Sequence, residues 1–142
     1  MKPKTTEVLL VGTSLETWNM MKGLVKKGLQ GMHVGWGYVS VPAPTFHVAF
    51  TRIVERRSLD IVHISNEMRL PAEDMRRGCE VLARKIARHP NRPWVLLKDE
   101  DDLVYLTPLF SVHGIEVRNG MLENIIHERW AAENKQLADA AE

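Results

Sequence analysis

The chain has 142 residues and a mass of 16.2 kDa, enough for one domain with a substantial core and too little for two ordinary domains. Hydrophobic residues make up 44% and charged residues 26%, which excludes a disordered or low-complexity protein and predicts one unit with its core in residues 7–130. The net charge of +1 is unevenly distributed, since residues 1–98 hold 16 Lys or Arg and 8 Asp or Glu, whereas residues 99–142 hold 3 and 10.

The sequence lacks the features of membrane, secreted and zinc proteins. No apolar run approaches the roughly 18 residues that span a bilayer, and residues 1–12 lack a signal peptide's apolar region, so we expect a cytoplasmic protein. Cys79 is the only cysteine, which excludes an internal disulfide, and no Cys/His cluster has zinc-site spacing. Because the net charge is near zero, nucleic acid is not the expected partner. The uneven charge instead favours a protein partner, either a second copy or a larger subunit.

The first part of the chain predicts a buried strand, a helix and a second strand. Val8–Val11 is wholly apolar, which is typical of a strand buried on both faces of a sheet. Thr13–Glu16 has the form of a capping box and opens a helix that Gly28 ends. Side chains then alternate over residues 32–41, and this second strand is expected to end at Pro42.

The middle of the chain repeats this alternation of helix and strand. Thr45 is placed to cap a second helix, and Asp60–Ser65 predicts the third strand. Pro71 opens a third helix, which is expected to stop before Pro90. Trp94–Leu97 predicts the fourth strand.

The last part of the chain predicts the fifth strand and the final helix. The acidic residues 99–102 are expected at the start of a short fourth helix, with the fifth strand at 115–118. A final helix follows, and residues 131–142 are expected to extend it as a frayed end. Five strand-helix units predict an α/β fold, a Rossmann-like five-stranded parallel sheet with helices on both faces. We expect the flavodoxin-like strand order 2-1-3-4-5.

A ligand of such a sheet binds beyond the carboxyl ends of the strands, where the strand order reverses, here between strands 1 and 3. The candidate ligand-contacting residues at this edge are Thr13, Ser14, Glu16, Ser65, Asn66 and Lys98. The first amides of helix 1 could hold a phosphate or carboxylate there, although helix capping explains the same residues. No glycine-rich phosphate loop follows strand 1, which disfavours dinucleotide binding. The residues compose no set of nucleophile, base and orienting group, so no catalytic residue, metal or cofactor is predicted.

Residues 31–43 and 60–65 resemble the second and third strands of cobalamin-binding domains, which occur in methyltransferases, carbon-skeleton mutases and light-sensing regulators. In coarser form the resemblance extends over residues 7–130. It implies the same fold and makes cobalamin the alternative cofactor. In that family a D-x-H-x-x-G loop supplies a histidine to cobalt, and ungapped counting places Ser14, Glu16 and Asn19 at its three defining positions. Glutamate is a hard oxygen donor, poorly suited to replace imidazole on cobalt.

Two further motifs of the family pattern are also changed. Glu67 stands where the S-x-L motif has leucine, and Lys98 and Asp99 replace paired glycines beside the cofactor's nucleotide tail. Helix 1 is also expected to begin directly after strand 1, with Trp18 in the space that the family leaves to the tail. These departures favour a divergent, non-catalytic binding or regulatory module that has lost the histidine-ligated cobalamin site.

Two alternatives remain open from the sequence. One is the small cobalamin-carrying subunit of a mutase or methyltransferase, in which a catalytic subunit supplies the missing contacts. The other is a receiver-like signalling domain that works without phosphorylation. Phosphorylatable receivers need an aspartate after strand 3 and an acidic pair after strand 1, where this chain has Ser65 and Gly12–Thr13.

Overall fold

The computed structural model describes residues 5–30, 37–98 and 103–141, with side chains as far as residue 135. Its elements, in chain order, are β1 (Thr5–Val11), α1 (Leu15–Gly28), β2 (Gly37–Ala43), α2 (Phe46–Glu55), β3 (Leu59–Ile64), α3 (Ala72–Ala87), β4 (Trp94–Leu97), a 3-10 turn (Val104–Leu106), α4 (Thr107–Ser111), β5 (Val117–Arg118) and α5 (Leu122–Ala141). The strands form one parallel sheet in the order β2-β1-β3-β4-β5. The predicted α/β fold and strand order are therefore confirmed.

Helices cover both faces of the sheet. Leu9 and Val11 of β1 point into a core formed with α2, α3 and α4. Val8 and Leu10 alternate with them and point to the opposite face, where α1 and α5 pack. All four side chains are at most 1% exposed, because parallel strands with helices on both sides have no solvent-facing surface.

Two predicted helix caps can be compared directly with the structure, and one of them is displaced by one residue. Thr45 accepts a hydrogen bond from the Val48 amide and caps α2, as expected. For α1 the cap is Ser14, whose hydroxyl accepts from the Thr17 amide, so the capping box assigned to Thr13–Glu16 is wrong. Thr13 is instead buried at the end of β1.

Several element boundaries also differ from the expected ones. β2 continues through Pro42 to Ala43, because an edge strand tolerates a residue without an amide proton. Its expected first half, residues 32–36, lies outside the described residues, as do the acidic residues 99–102. The fifth strand has only two residues, whereas the last helix includes residues 131–141, which were expected to extend it. None of the described helices is both long enough and apolar enough to cross a membrane.

A polar network ties α5 to the amino ends of the strands. The fully buried Asp60 carboxylate accepts hydrogen bonds from the Glu7 amide at 3.0 Å and from the Asn91 side chain at 2.7 Å. Arg129 of α5 lies 3.7 Å from the same carboxylate. The Trp130 indole donates to the hydroxyl of Thr6, near the start of β1. These contacts fix the helix against the edge of the sheet opposite the candidate site.

Candidate functional site

The carboxyl ends of β1 and β3 are packed directly against each other. Gly12 follows β1 with φ +75°, and its amide donates to the Ala43 carbonyl at 2.8 Å. A Cβ at this position would lie 2.2 Å from the backbone oxygen of Ser65, so only glycine fits. The Ser65 hydroxyl donates back to the Gly12 carbonyl at 3.1 Å and lies 3.3 Å from the Thr13 hydroxyl. The segments that follow β1 and β3 are therefore in direct contact where the strand order reverses.

The N-terminus of α1 is closed by the side chain of Glu67, from the loop after β3. One carboxylate oxygen accepts from the Ser14 amide at 3.0 Å, and the other accepts from the hydroxyls of Ser14 and Thr17 at 2.8 and 2.7 Å. The hydrogen bond from Thr17 contributes most to lowering the pKa of Glu67, followed by the Ser14 amide. An ionised carboxylate thus occupies the place where a helix N-terminus would bind an anionic ligand.

The first two turns of α1 fill the space beside β1 and β2. The Trp18 indole donates to the Ser40 hydroxyl of β2 at 2.8 Å, and the Lys22 ammonium lies 3.9 Å from the ring centre. Trp18 packs on the cluster formed by the α1 and α5 face, together with Met21 and Tyr38. As the sequence predicted, α1 begins shortly after β1, at Leu15, and the Trp18 side chain lies over the sheet beside β1 and β2.

The structure brings five of the six predicted residues to one region and leaves one apart. Thr13, Ser14 and Ser65 are joined by the contacts described above. Asn66 and Lys98 line a neighbouring cavity. Glu16 is exposed on the first turn of α1, and within the described parts of the chain its side chain makes no hydrogen bond or ion pair with the others.

The most connected side chain of the site is Glu67, which the sequence places at this edge, after strand 3, but which was not among the six candidate ligand contacts. Its place after a buried strand was visible, and acidic side chains favour helix N-termini. The sequence could not show which of the available helices it would reach. That partner, α1, depends on the tertiary pairing of β1 with β3.

A cavity of about 630 Å³ lies at the carboxyl ends of β3 and β4, and we call it the β3–β4 cavity. It is lined by Ser65, Asn66, Glu67, Arg69, Leu70, Ala72, Lys98, Leu103 and Tyr105. The Asn66 side chain accepts from the Leu70 amide at 2.8 Å and donates to the Leu70 carbonyl at 3.0 Å, which fixes the loop that forms one wall. The Lys98 amide donates to the Ile64 carbonyl at 2.8 Å and so continues the β3–β4 ladder to the cavity.

His63 lies beneath this edge, on the sheet face covered by α1 and α5. Its neighbours across the sheet are Leu10 and Leu96, and the side chain is 4% exposed. Burial, with a smaller contribution from the positive charge of Lys98, lowers the pKa of the imidazole to about 4. The ring is therefore neutral at pH 7. Its Nδ1 has no hydrogen-bond partner among the described residues.

A larger cavity of about 930 Å³ lies at the opposite edge of the sheet, near Trp94 and the C-terminal half of α5. Arg129 on its wall is 8% exposed and donates to the backbone carbonyls of Asn91 and Arg92 and to the Glu133 carboxylate. These bonds give Arg129 a structural role. The cavity is at the amino ends of the strands, away from the edge where parallel α/β sheets bind ligands.

The residues around the switch point, where the strand order reverses between β1 and β3, do not fit a corrinoid held by a protein histidine. Glu16 takes the axial position by ungapped counting, and it is an exposed residue of a regular helix rather than part of a loop. Trp18 and Glu67 occupy the adjacent space. Within the described ranges, no cluster of three or more His, Cys, Asp or Glu side chains could hold a metal ion.

The fold and this edge define a Rossmann-like parallel α/β domain. Similar folds occur in crystal structures of S. aureus homoserine dehydrogenase at pH 7.5 and pH 6.0, with TM-scores of 0.51 and 0.50. Sequence identity is 14% in both comparisons, which cover 82% of this chain and 32% of the dehydrogenase chain, so the likeness concerns the fold alone. This chain spans about a third of the length of those structures. No known protein family and no curated protein matches the sequence.

Proposed function

We propose that this chain is a non-catalytic binding or regulatory module, a divergent relative of cobalamin-binding domains whose cleft between β1 and β3 accepts no corrinoid. The observation that carries this proposal is the Glu67 carboxylate on the N-terminus of α1. This carboxylate occupies the Ser14 amide and both nearby hydroxyls, and it places a negative charge where an anionic ligand would approach the helix. The module therefore supplies its own anion at the place where relatives of this fold bind theirs.

Two further features support a closed cleft. The segments after β1 and β3 pack closely against each other through Gly12 and Ser65. Trp18, held by Ser40, covers the sheet beside β1, so a long substituent could pass only if the indole moved and broke its 2.8 Å hydrogen bond. Each obstruction uses a different residue, and opening one leaves the others in place.

A titration with hydroxocobalamin and adenosylcobalamin, followed by absorption spectroscopy, tests the proposal. We expect the spectra to equal the sum of the free components. Tight binding with a base-off spectrum would contradict the proposal. The variant Glu16→His, with Glu16→Gln as its matched control, adds an imidazole at the axial position, and no gain in affinity is expected while Trp18 and Glu67 remain.

A second titration, with NADH followed by its fluorescence, tests the same closure against a different ligand. Dinucleotides place their pyrophosphate on the first helix of a Rossmann-type sheet, at the position that Glu67 fills here. We expect no binding. Saturable NADH binding to the wild type would contradict the proposal. If Glu67→Gln strengthened that binding, the Glu67 carboxylate would compete only weakly with the pyrophosphate and the cleft would be open.

A module of this kind acts through a protein partner, either a second copy or a larger subunit. The positive excess of residues 1–98 and the negative excess of residues 99–142 support an electrostatic contribution to that contact. Sedimentation at low and high salt, together with affinity purification from the native host, tests it. We expect a complex that salt weakens. A monomer that purifies alone at both salt concentrations would contradict a protein partner.

A further inference from the structure

We infer that the β3–β4 cavity binds a small organic anion, whose phosphate or carboxylate group lies between Arg69 and Lys98. This inference rests on the proposed function and deepens it, because it gives the binding module a class of ligand. The site lies one strand away from the closed cleft. Glu67 and Trp18 occupy space beside the start of α1, while a cavity remains at the carboxyl ends of β3 and β4.

The charges of the cavity lining support an anion. Arg69 and Lys98 are both exposed on the lining, and neither forms an ion pair with any residue in the described parts of the chain. Among the residues that the structure describes, the lining has one carboxylate, Glu67, and both of its oxygens accept hydrogen bonds from Ser14 and Thr17. The described lining residues therefore carry two cations and one carboxylate, and that carboxylate interacts with the positive charge of Lys98.

The backbone of Arg69 is a second indication. Its φ is +55°, a conformation that non-glycine residues rarely adopt. The two hydrogen bonds between the Asn66 side chain and the Leu70 backbone hold the loop on either side of it. A strained backbone held in this way, at the rim of a cavity, is typical of residues positioned for a ligand.

The size and apolar part of the cavity define the rest of the ligand. A volume of about 630 Å³ lies within the range of sites for small organic molecules. Tyr105, Leu70 and Leu103 contribute aromatic and aliphatic side chains to the same lining. The Arg76 guanidinium lies 5.8 Å from the Tyr105 ring centre and adds positive charge near it. The ligand should therefore combine an anionic group with a flat or apolar body.

Calorimetric titration of the full chain with phenyl phosphate, inorganic phosphate and phenol tests these two parts separately. We expect phenyl phosphate to bind more tightly than either fragment. Arg69→Gln and Lys98→Gln should each weaken phenyl phosphate about tenfold, as expected for loss of a charged hydrogen bond. Arg92→Gln is the matched control, because Arg92 is also an exposed arginine with positive φ, +45°, but lies at the opposite edge of the sheet. It should leave binding unchanged.

Three results would overturn the inference. Equal affinities for phenyl phosphate and phenol would show that the anionic group is not recognised. Equal weakening by Arg92→Gln would show a diffuse charge effect rather than a site. Binding of Mg²⁺ without phenyl phosphate would identify a cation site, which the acidic residues 99–102 would favour. Corrinoid titration of the same protein distinguishes the failures, because corrinoid binding contradicts the proposed function, whereas absence of both ligands contradicts only this inference.

Discussion

The buried imidazole of His63 should make the protein lose stability as the pH falls. In the unfolded chain this ring binds a proton near its ordinary pKa of 6.5, whereas in the folded protein burial lowers the pKa to about 4. The unfolded state therefore takes up the proton first, and the contribution of His63 to stability, complete above pH 6.5, declines as the pH falls towards 4. Between about pH 7 and pH 5 the expected loss is roughly 2 kcal/mol, and it approaches about 3 kcal/mol below pH 4.

Urea unfolding of the wild type and of His63→Leu at several pH values between about 7 and 5 measures this loss of stability. The free energy of unfolding of His63→Leu should depend less steeply on pH, because leucine cannot bind a proton. His113→Gln, a change at an exposed histidine, is the control and should keep the wild-type slope. The lowered pKa of Glu67 acts in the same direction only below its ordinary value of 4.5, so the window above pH 5 isolates His63. Identical slopes for the wild type and His63→Leu would refute the reasoning.

Three further substitutions test the packing that positions the site. Gly12→Ala should lower the free energy of unfolding by at least about 3 kcal/mol, measured in urea, because the residue has φ +75° and its Cβ would meet the Ser65 carbonyl oxygen. A loss below about 1 kcal/mol would mean that the ends of β1 and β3 do not pack as described. Gly78→Ala should destabilise the protein by about 1–3 kcal/mol, because its Cβ would lie 2.4 Å from the Phe46 ring. In a Phe46→Ala background the same change should instead stabilise α3 by about 0.5–1 kcal/mol. An equal loss of stability in both backgrounds would contradict the contact between α2 and α3. Asp60→Ala should cost at least about 2 kcal/mol, since it removes the acceptor of two hydrogen bonds, and a thermal melt like the wild type would show that the network is dispensable.

The fold was predictable because its signals are local. The apolar runs of β1, β3 and β4 need only their own residues to indicate strands buried on both faces. Thr45 caps α2 with a bond that spans three residues. Once five strand-helix units are recognised, the handedness of crossover connections leaves few arrangements of the sheet.

The site was less predictable because its contacts join residues about fifty positions apart. Glu67 bonds to Ser14 and Thr17 only because β1 and β3 are neighbours in the sheet. The capping error at Thr13 has the same origin, since the preference of Thr13 for a buried contact with Ser65 leaves the cap to Ser14. The charge of Arg69 was visible in the sequence, but its backbone conformation and its place on a cavity wall were not.

The Glu67 carboxylate is joined to the helix it caps through the folded chain, and this makes it a competitor that never diffuses away. Its effective concentration at the N-terminus of α1 is that of a short tether, on the order of millimolar or higher. A free carboxylate or phosphate present at lower levels could not displace it by mass action. The stiffness of the loop from Asn66 to Leu70 sets this effective concentration. Changes in that loop, rather than in the hydroxyls that bond the carboxylate, would therefore alter how strongly α1 excludes other anions.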